Sequence, residues 1–200
     1  MNGRSMSSPL RLRFLTSADD VTRLPDSPAE VAFIGRSNVG KSSLVNALGN
    51  RKDLARVAKA PGRTQLLNCF EVEGLGTIVD CPGYGYASAP ARVREGWQRM
   101  VETYLLEREQ LTMVAMLVDG EIGPTKLDIE MLAWLRANDV PHSVVATKHD
   151  KVKAAQRDKR KRDLAAACML EPGDVIWVSA AKGTGKDRLL GLVHTWLALG

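Results

Sequence analysis

Short apolar runs and amphipathic stretches alternate along this chain in a regular order. Val31-Ala32-Phe33-Ile34, residues 112–118, residues 142–146 and residues 174–178 are runs of four to seven mostly apolar residues rich in branched side chains, which predicts strands. Residues 41–48, 125–137, 155–169 and 184–198 instead predict helices, and Trp97, Val101 and Leu105 mark one face of another. Residues 65–72 and 76–80 read as two strands joined by the turn Glu73-Gly74-Leu75. Arg11 to Thr16 add a short structured lead-in. Such alternation means an α/β fold, with a mostly parallel central sheet, one antiparallel edge strand and helices on both faces. Residues 1–8 read as a flexible tail and residues 9–200 as a single domain.

The loops between these elements carry the chemistry. Gly35-Arg36-Ser37-Asn38-Val39-Gly40-Lys41-Ser42 fits G-x-x-x-x-G-K-[ST], following a predicted strand and leading into the predicted helix 41–48, which continues Ser43-Leu44. Glycines let such a loop curl so that its N–H groups point at phosphate oxygens, and the helix start adds its positive dipole end. Lys41 then reaches the β- and γ-phosphates, and the Ser42 hydroxyl holds Mg²⁺. Thr147-Lys148-His149-Asp150 ends another apolar run and matches [NT]-K-x-D. An Asp carboxylate there accepts from both N1–H and the 2-amino group of guanine, a pair of donors that adenine lacks. The apolar stem of Lys148 can cover the base plane. Asp80-Cys81-Pro82-Gly83 matches D-x-x-G, with Asp80 holding Mg²⁺ through water and Gly83 sensing the γ-phosphate. Val178-Ser179-Ala180-Ala181 follows the last predicted strand and can close over the base. Gly62-Arg63-Thr64-Gln65-Leu66 lies in a Gly/Pro-punctuated loop, where Thr64 offers a second Mg²⁺ ligand.

With these motifs the chain resembles the EngB family (also called YihA or YsxC), within the TrmE-Era-EngA-EngB-Septin-like GTPases, over roughly residues 10–198. Residues 35–43, 61–65, 80–87 and 147–151 and Val178-Ser179-Ala180 carry the resemblance. Cys81 stands where the family usually has Leu, and His149 where a small residue is common. The resemblance implies a three-layer P-loop GTPase fold of the Ras-like type. It also implies binding of GTP and GDP, association with the large ribosomal subunit and its rRNA late in assembly, and a link to cell division and septation.

Composition adds bounds. The chain has 200 residues, enough for one core burying roughly 70% of the unfolded surface. No run approaches the ~20 apolar residues of a membrane span, and the N-terminus lacks a continuous apolar segment, so a cytoplasmic location is expected; a monomer is expected separately. Three cysteines, Cys69, Cys81 and Cys168, show no metal spacing and suit a reducing compartment; Cys81 is read as a packed thiol. The tryptophans at 97, 134, 177 and 196 are read as core, and His149 as an exposed spectator.

The net charge is +5, and it is uneven: between Lys148 and Arg162, eight Lys/Arg accompany only Asp150 and Asp158. Arg51, Lys52, Arg56, Lys59 and Arg63 form a second cluster, offset by Asp53. Two such clusters beside a nucleotide site suit an RNA backbone, read by shape rather than sequence.

The residue after Gly83 is Tyr84, where Ras-like GTPases place the water-orienting Gln. A phenol cannot bridge the attacking water and the γ-phosphate as an amide can, so slow turnover is expected. Related GTPases with Asn at the position of Asn38 use it to ligate K⁺, making K⁺ a candidate cofactor beside Mg²⁺. Lys41, Asn38 and Thr64 are thus the catalytic candidates. The alternatives are a septation GTPase acting through protein partners and a P-loop kinase for a small molecule.

Overall fold

The computed structural model describes residues 8–55, 66–85 and 91–200. Seven strands form one sheet: β1 (Leu12–Ala18), β2 (Glu30–Gly35), β3 (Leu67–Val72), β4 (Gly76–Asp80), β5 (Leu111–Asp119), β6 (His142–Thr147) and β7 (Ile176–Trp177). Their spatial order is β1-β3-β4-β2-β5-β6-β7. The predicted antiparallel strand is β3, which runs against both β1 and β4. The lead-in is longer than expected: it forms a full strand outside β3, with a register shift between Phe14 and Thr16 that interrupts its pairing. Such irregularity at an edge discourages pairing with a further strand.

Side chains alternate across each strand, so the sheet feeds two cores. Val31 and Phe33 of β2 pack with α1 (Lys41–Leu48) and α5 (Lys186–Leu197), through Leu44, Leu48, Leu189 and Trp196. Ala32 and Ile34 face α2 (Ala91–Glu107), α3 (Lys126–Ala137) and α4 (Arg157–Ala167), through Tyr104, Leu135 and Leu164. Every residue of β2 is buried, as a central parallel strand covered on both faces must be. Two predicted elements are shorter than expected. Strand β7 keeps only two residues, and α4 begins after a separate 3₁₀ turn, Ala154–Gln156.

The chain direction puts the carboxyl ends of β2, β4, β5 and β6 on one edge of the sheet. Cross-strand pairing sets Phe33 beside Asp80 and Asp119 beside Thr147, so the residues that close these strands stand in a row. Ligand loops of α/β sheets gather on this edge. The opposite edge is secured by Glu30, wholly buried, which accepts from Thr77 Oγ1 (2.8 Å), Tyr104 Oη (2.7 Å) and Arg108 Nε (3.2 Å). A buried carboxylate with that many donors is satisfied and structural. Among the described residues no helix is long and apolar enough to cross a membrane.

Candidate functional site

Gly35 closes β2 at φ +153°, and an added Cβ there would lie 2.7 Å from the Leu117 carbonyl oxygen. A side chain would therefore push the phosphate loop away from β5. The loop then turns through Asn38, exposed and in the left-handed region at φ +65°, and enters α1 at Lys41. The first N–H groups of α1 have no intrahelical acceptors by the geometry of a helix, which makes this a cradle for an anion. Lys41 Nζ donates to the Gly35 (3.0 Å) and Arg36 (3.3 Å) carbonyls inside the loop. Burial pushes its pKa down, with the Asp80 carboxylate opposing that shift. A buried ammonium held chiefly by carbonyls is primed for a polyphosphate, whose charge compensates it better.

Asp80 ends β4 directly below this loop. Ser42 Oγ donates to Asp80 Oδ2 at 3.0 Å, while Asp80 Oδ1 is buried without a partner among the described residues. Burial raises the Asp80 pKa, against the pull of Lys41 and the Ser42 hydroxyl. A hydroxyl oxygen next to an orphaned carboxylate oxygen is a hard-donor set, and it fits a Mg²⁺ that keeps most of its water. GTPases in general depend on this ion. Thr64, the second expected ligand, lies outside the described residues, as do Gly62, Arg63 and Gln65; Leu66 is exposed just before β3.

Gly83 packs against the phosphate loop. A Cβ on it would sit 2.8 Å from Ser37 N and 3.0 Å from Lys41 Nζ. The next residue binds the two segments together, Ser37 N–H donating to the Tyr84 carbonyl at 3.0 Å. The Tyr84 hydroxyl donates to Asp128 Oδ1 at 2.7 Å. Asp128 is itself buried near the start of α3, where its Oδ2 accepts from the Thr125 N–H and hydroxyl. Burial, then the Asp128 carboxylate, raise the Tyr84 pKa. Cys81 is fully buried and burial pushes its thiol well up, which accords with a packed residue.

The second motif closes the other side of a cavity of about 620 Å³, lined by Val39, Gly40, Ser43, Asn46, Thr147, Lys148, Asp150, Val178, Ala180 and Ala181 among others. Thr147 Oγ1 donates to the Val39 (2.7 Å) and Val118 (3.2 Å) carbonyls, joining β6 to the phosphate loop. Asp150 Oδ1 accepts from Ser179 Oγ at 2.6 Å, and that hydroxyl in turn accepts from the Lys182 N–H at 3.0 Å. The Ser179 bond holds the Asp150 carboxyl below the usual range, so it stands as an ionised acceptor. His149 corrects an expectation. It is buried, not an exposed spectator: its backbone N–H donates to Val178, and its ring meets the Trp177 ring edge-on at 5.7 Å. Burial, then the charges of Arg157 and Lys161, lower its pKa. Trp196 is core as expected, Trp134 and Trp177 are half-buried against the core on the other face of the sheet, and the side chain of Trp97 lies outside the described residues.

Two contributors escaped the motifs. Asn46 on α1 donates to the Lys52 and Ala55 carbonyls and accepts from the Ala55 N–H, shaping the loop beside the cavity. Asp119 closes β5 and accepts from Lys148 Nζ at 2.7 Å. An acidic residue ending an apolar strand on the ligand edge was the signal that could have found it.

Residues 30–148 match the model of the 50S ribosome-binding GTPase family. The probable GTP-binding protein EngB of Pelotomaculum thermopropionicum is 47% identical over 193 residues, 93% of this chain and 95% of that protein. The chain belongs to the EngB family of GTP-binding proteins. The EngB protein of Pasteurella multocida is 44% identical over 191 residues, covering 94% of this chain and 93% of its own length. A crystal structure of an EngB protein superimposes with a TM-score of 0.69 at 27% identity, over 86% of this chain and all of that one. Aquifex aeolicus Era, solved with GDP and AlF4⁻, shares the fold at a TM-score of 0.65 over 86% of this chain and 57% of its own. The expected P-loop GTPase architecture of the EngB family is therefore present, with GTP as the nucleotide, and the small-molecule kinase falls away.

Proposed function

We propose that this chain is a slow GTP-hydrolysing switch acting in assembly of the large ribosomal subunit, with GTP seated between the phosphate loop and Thr147–Asp150. The observation that carries the nucleotide reading is the 2.7 Å bond from Thr147 Oγ1 to the Val39 carbonyl, which makes the two motifs walls of one cavity. Lys41 neutralises the β/γ-phosphates and Asp150 reads the guanine edge. Ser42 Oγ and, through water, Asp80 would hold Mg²⁺, with Thr64 completing the set, and the ion would supply charge neutralisation at the phosphates during transfer to water. Tyr84 supports the slow rate, because its hydroxyl is already engaged with Asp128.

Asn38 is exposed in the phosphate loop at φ +65°, which supports a role as a K⁺ ligand. Hydrolysis faster in K⁺ than in Na⁺, and a response lost in Asn38→Ala, test that role; equal rates in both salts remove it.

The ribosomal reading rests on charge. Lys151, Lys153, Lys159 and Arg162 are exposed around α4 and form no ion pair among the described residues. Such a face attracts an RNA backbone in a salt-dependent way. Co-sedimentation with large ribosomal subunits, loaded with GDP or a non-hydrolysable GTP analogue, tests it. Analogue-dependent comigration that weakens with salt supports the assembly switch. No comigration in either state directs the function to protein partners in septation.

A further inference from the structure

Lys148 occupies the left-handed region at φ +54°, an unusual place for a long side chain. From there its stem lines the cavity, while its ammonium ends 2.7 Å from Asp119 Oδ2. The carboxylate that receives it is not mobile. Asp119 is 4% exposed, and its Oδ1 accepts from the backbone N–H groups of Glu121 (3.0 Å) and Ile122 (3.4 Å) in the turn after β5. One oxygen is thus locked by the turn, and the other points at Lys148.

This arrangement has a consequence for ligand recognition. A lysine stem is costly to order, and an unanchored ammonium would sweep the mouth of the cavity. Fixing the head on Asp119 orders the stem before any ligand arrives and leaves methylenes, not charge, facing the cavity. We infer that Asp119 is a positioning residue for the nucleotide base: by anchoring Lys148 it presents an apolar platform to the face of the ring. The inference rests on the reading of Thr147–Asp150 as the base-binding motif. It assigns face and edge to different carboxylates. Asp119 governs contact with the ring plane through Lys148, and Asp150 governs its hydrogen-bonding edge. The platform is indifferent to the exocyclic groups of a purine, so removing it must weaken related bases alike.

The test is equilibrium binding of fluorescent GDP and IDP, the latter lacking the 2-amino group. Asp119→Asn retains the Oδ1 acceptor for the turn and removes the charge that holds Lys148. Its expected effect is about tenfold weaker binding of both nucleotides, with their ratio unchanged. In a Lys148→Met background, which keeps an apolar stem without the charge, the same change is expected to add less than about twofold. Lys148→Met alone, at a half-exposed position that tolerates substitution, gives the same equal loss and carries the test if Asp119→Asn fails to fold. Unaltered GDP affinity in Asp119→Asn overturns the inference. An equal loss in the Lys148→Met background, or a shifted GDP/IDP ratio, overturns it too. Asp150→Asn serves as the separate control: if it leaves the GDP/IDP ratio unchanged, the base-reading assignment fails rather than the role of Asp119.

Discussion

The Thr147 hydroxyl donates to the Val39 carbonyl oxygen over 2.7 Å, bridging 108 residues of sequence to hold the end of β6 against the loop that enters α1. A second bond from the same hydroxyl reaches the Val118 carbonyl, and both are buried. Thr147→Val preserves shape but orphans the Val39 carbonyl and strips the Val118 carbonyl of its side-chain donor. The expected loss is about 2 kcal/mol, seen as a melting temperature lowered by roughly 4–8 °C without nucleotide. Thr147→Ser, which keeps the donor, is expected to retain more than half of that stability. Equal melting of the Val and Ser variants would show the bond to be idle.

Gly83 leaves no room for a methyl group, because its neighbours at 2.8 and 2.9 Å are the Ser37 backbone N and Cα rather than a yielding side chain. Gly83→Ala is expected to separate the D-x-x-G segment from the phosphate loop. GDP affinity, which depends on the loop and the base motif, should change by less than about threefold, whereas hydrolysis should fall by at least about tenfold through lost positioning. Single-turnover hydrolysis beside GDP titration separates the two effects.

His149 links the site to pH. Its folded pKa lies below the ordinary 6.5, mainly through burial and then through Arg157 and Lys161, with Asp150 acting in the opposite sense. The unfolded chain therefore takes up the proton first. Stability from this group is complete above 6.5 and declines as pH falls from there through the folded pKa. His149→Gln is expected to shrink the difference in melting temperature between pH 7.5 and pH 5.5. An unchanged difference would assign the acid sensitivity to other groups.

Tyr84 bonds to Asp128 Oδ1 at 2.7 Å, so the phenol stabilises the junction with α3 rather than serving the reacting water. Tyr84→Phe is expected to cost about 1–2 kcal/mol in chemical denaturation, since a buried carboxylate loses a donor. The single-turnover rate should stay within about twofold. A larger drop would place the hydroxyl in the chemistry.

Much of this molecule was legible before any coordinates. The strand–loop–helix order around Gly35–Ser42 and the hairpin of β3 and β4 follow from local apolar periodicity and turn residues, both of which act over a few positions. Where expectation and structure part, a long-range contact intervenes. His149 sits in a polar tetrapeptide and reads as exposed, yet Trp177 of β7 covers it. The lead-in near Arg11 becomes a full strand because β3 offers it a partner 51 to 62 residues away, as the Ser17–Asn68 and Arg11–Glu73 bonds measure. Residues 1–7, 56–65 and 86–90 lie outside the described residues, Thr64 among them, so the expectations placed there are not tested by geometry.

The order of motifs along the chain was enough to name a nucleotide site, because phosphate and base recognition need particular residue types at fixed short spacings. The motifs already gave Asp80 and Asp150 their readings, whereas Asp119 and Asp128 belong to no motif. Only the pairing of β5 with β6 and the packing of α3 set Asp119 beside Lys148 and Asp128 against Tyr84. A carboxylate takes its role from the donors around it, and those donors come from strands and helices far apart in the chain.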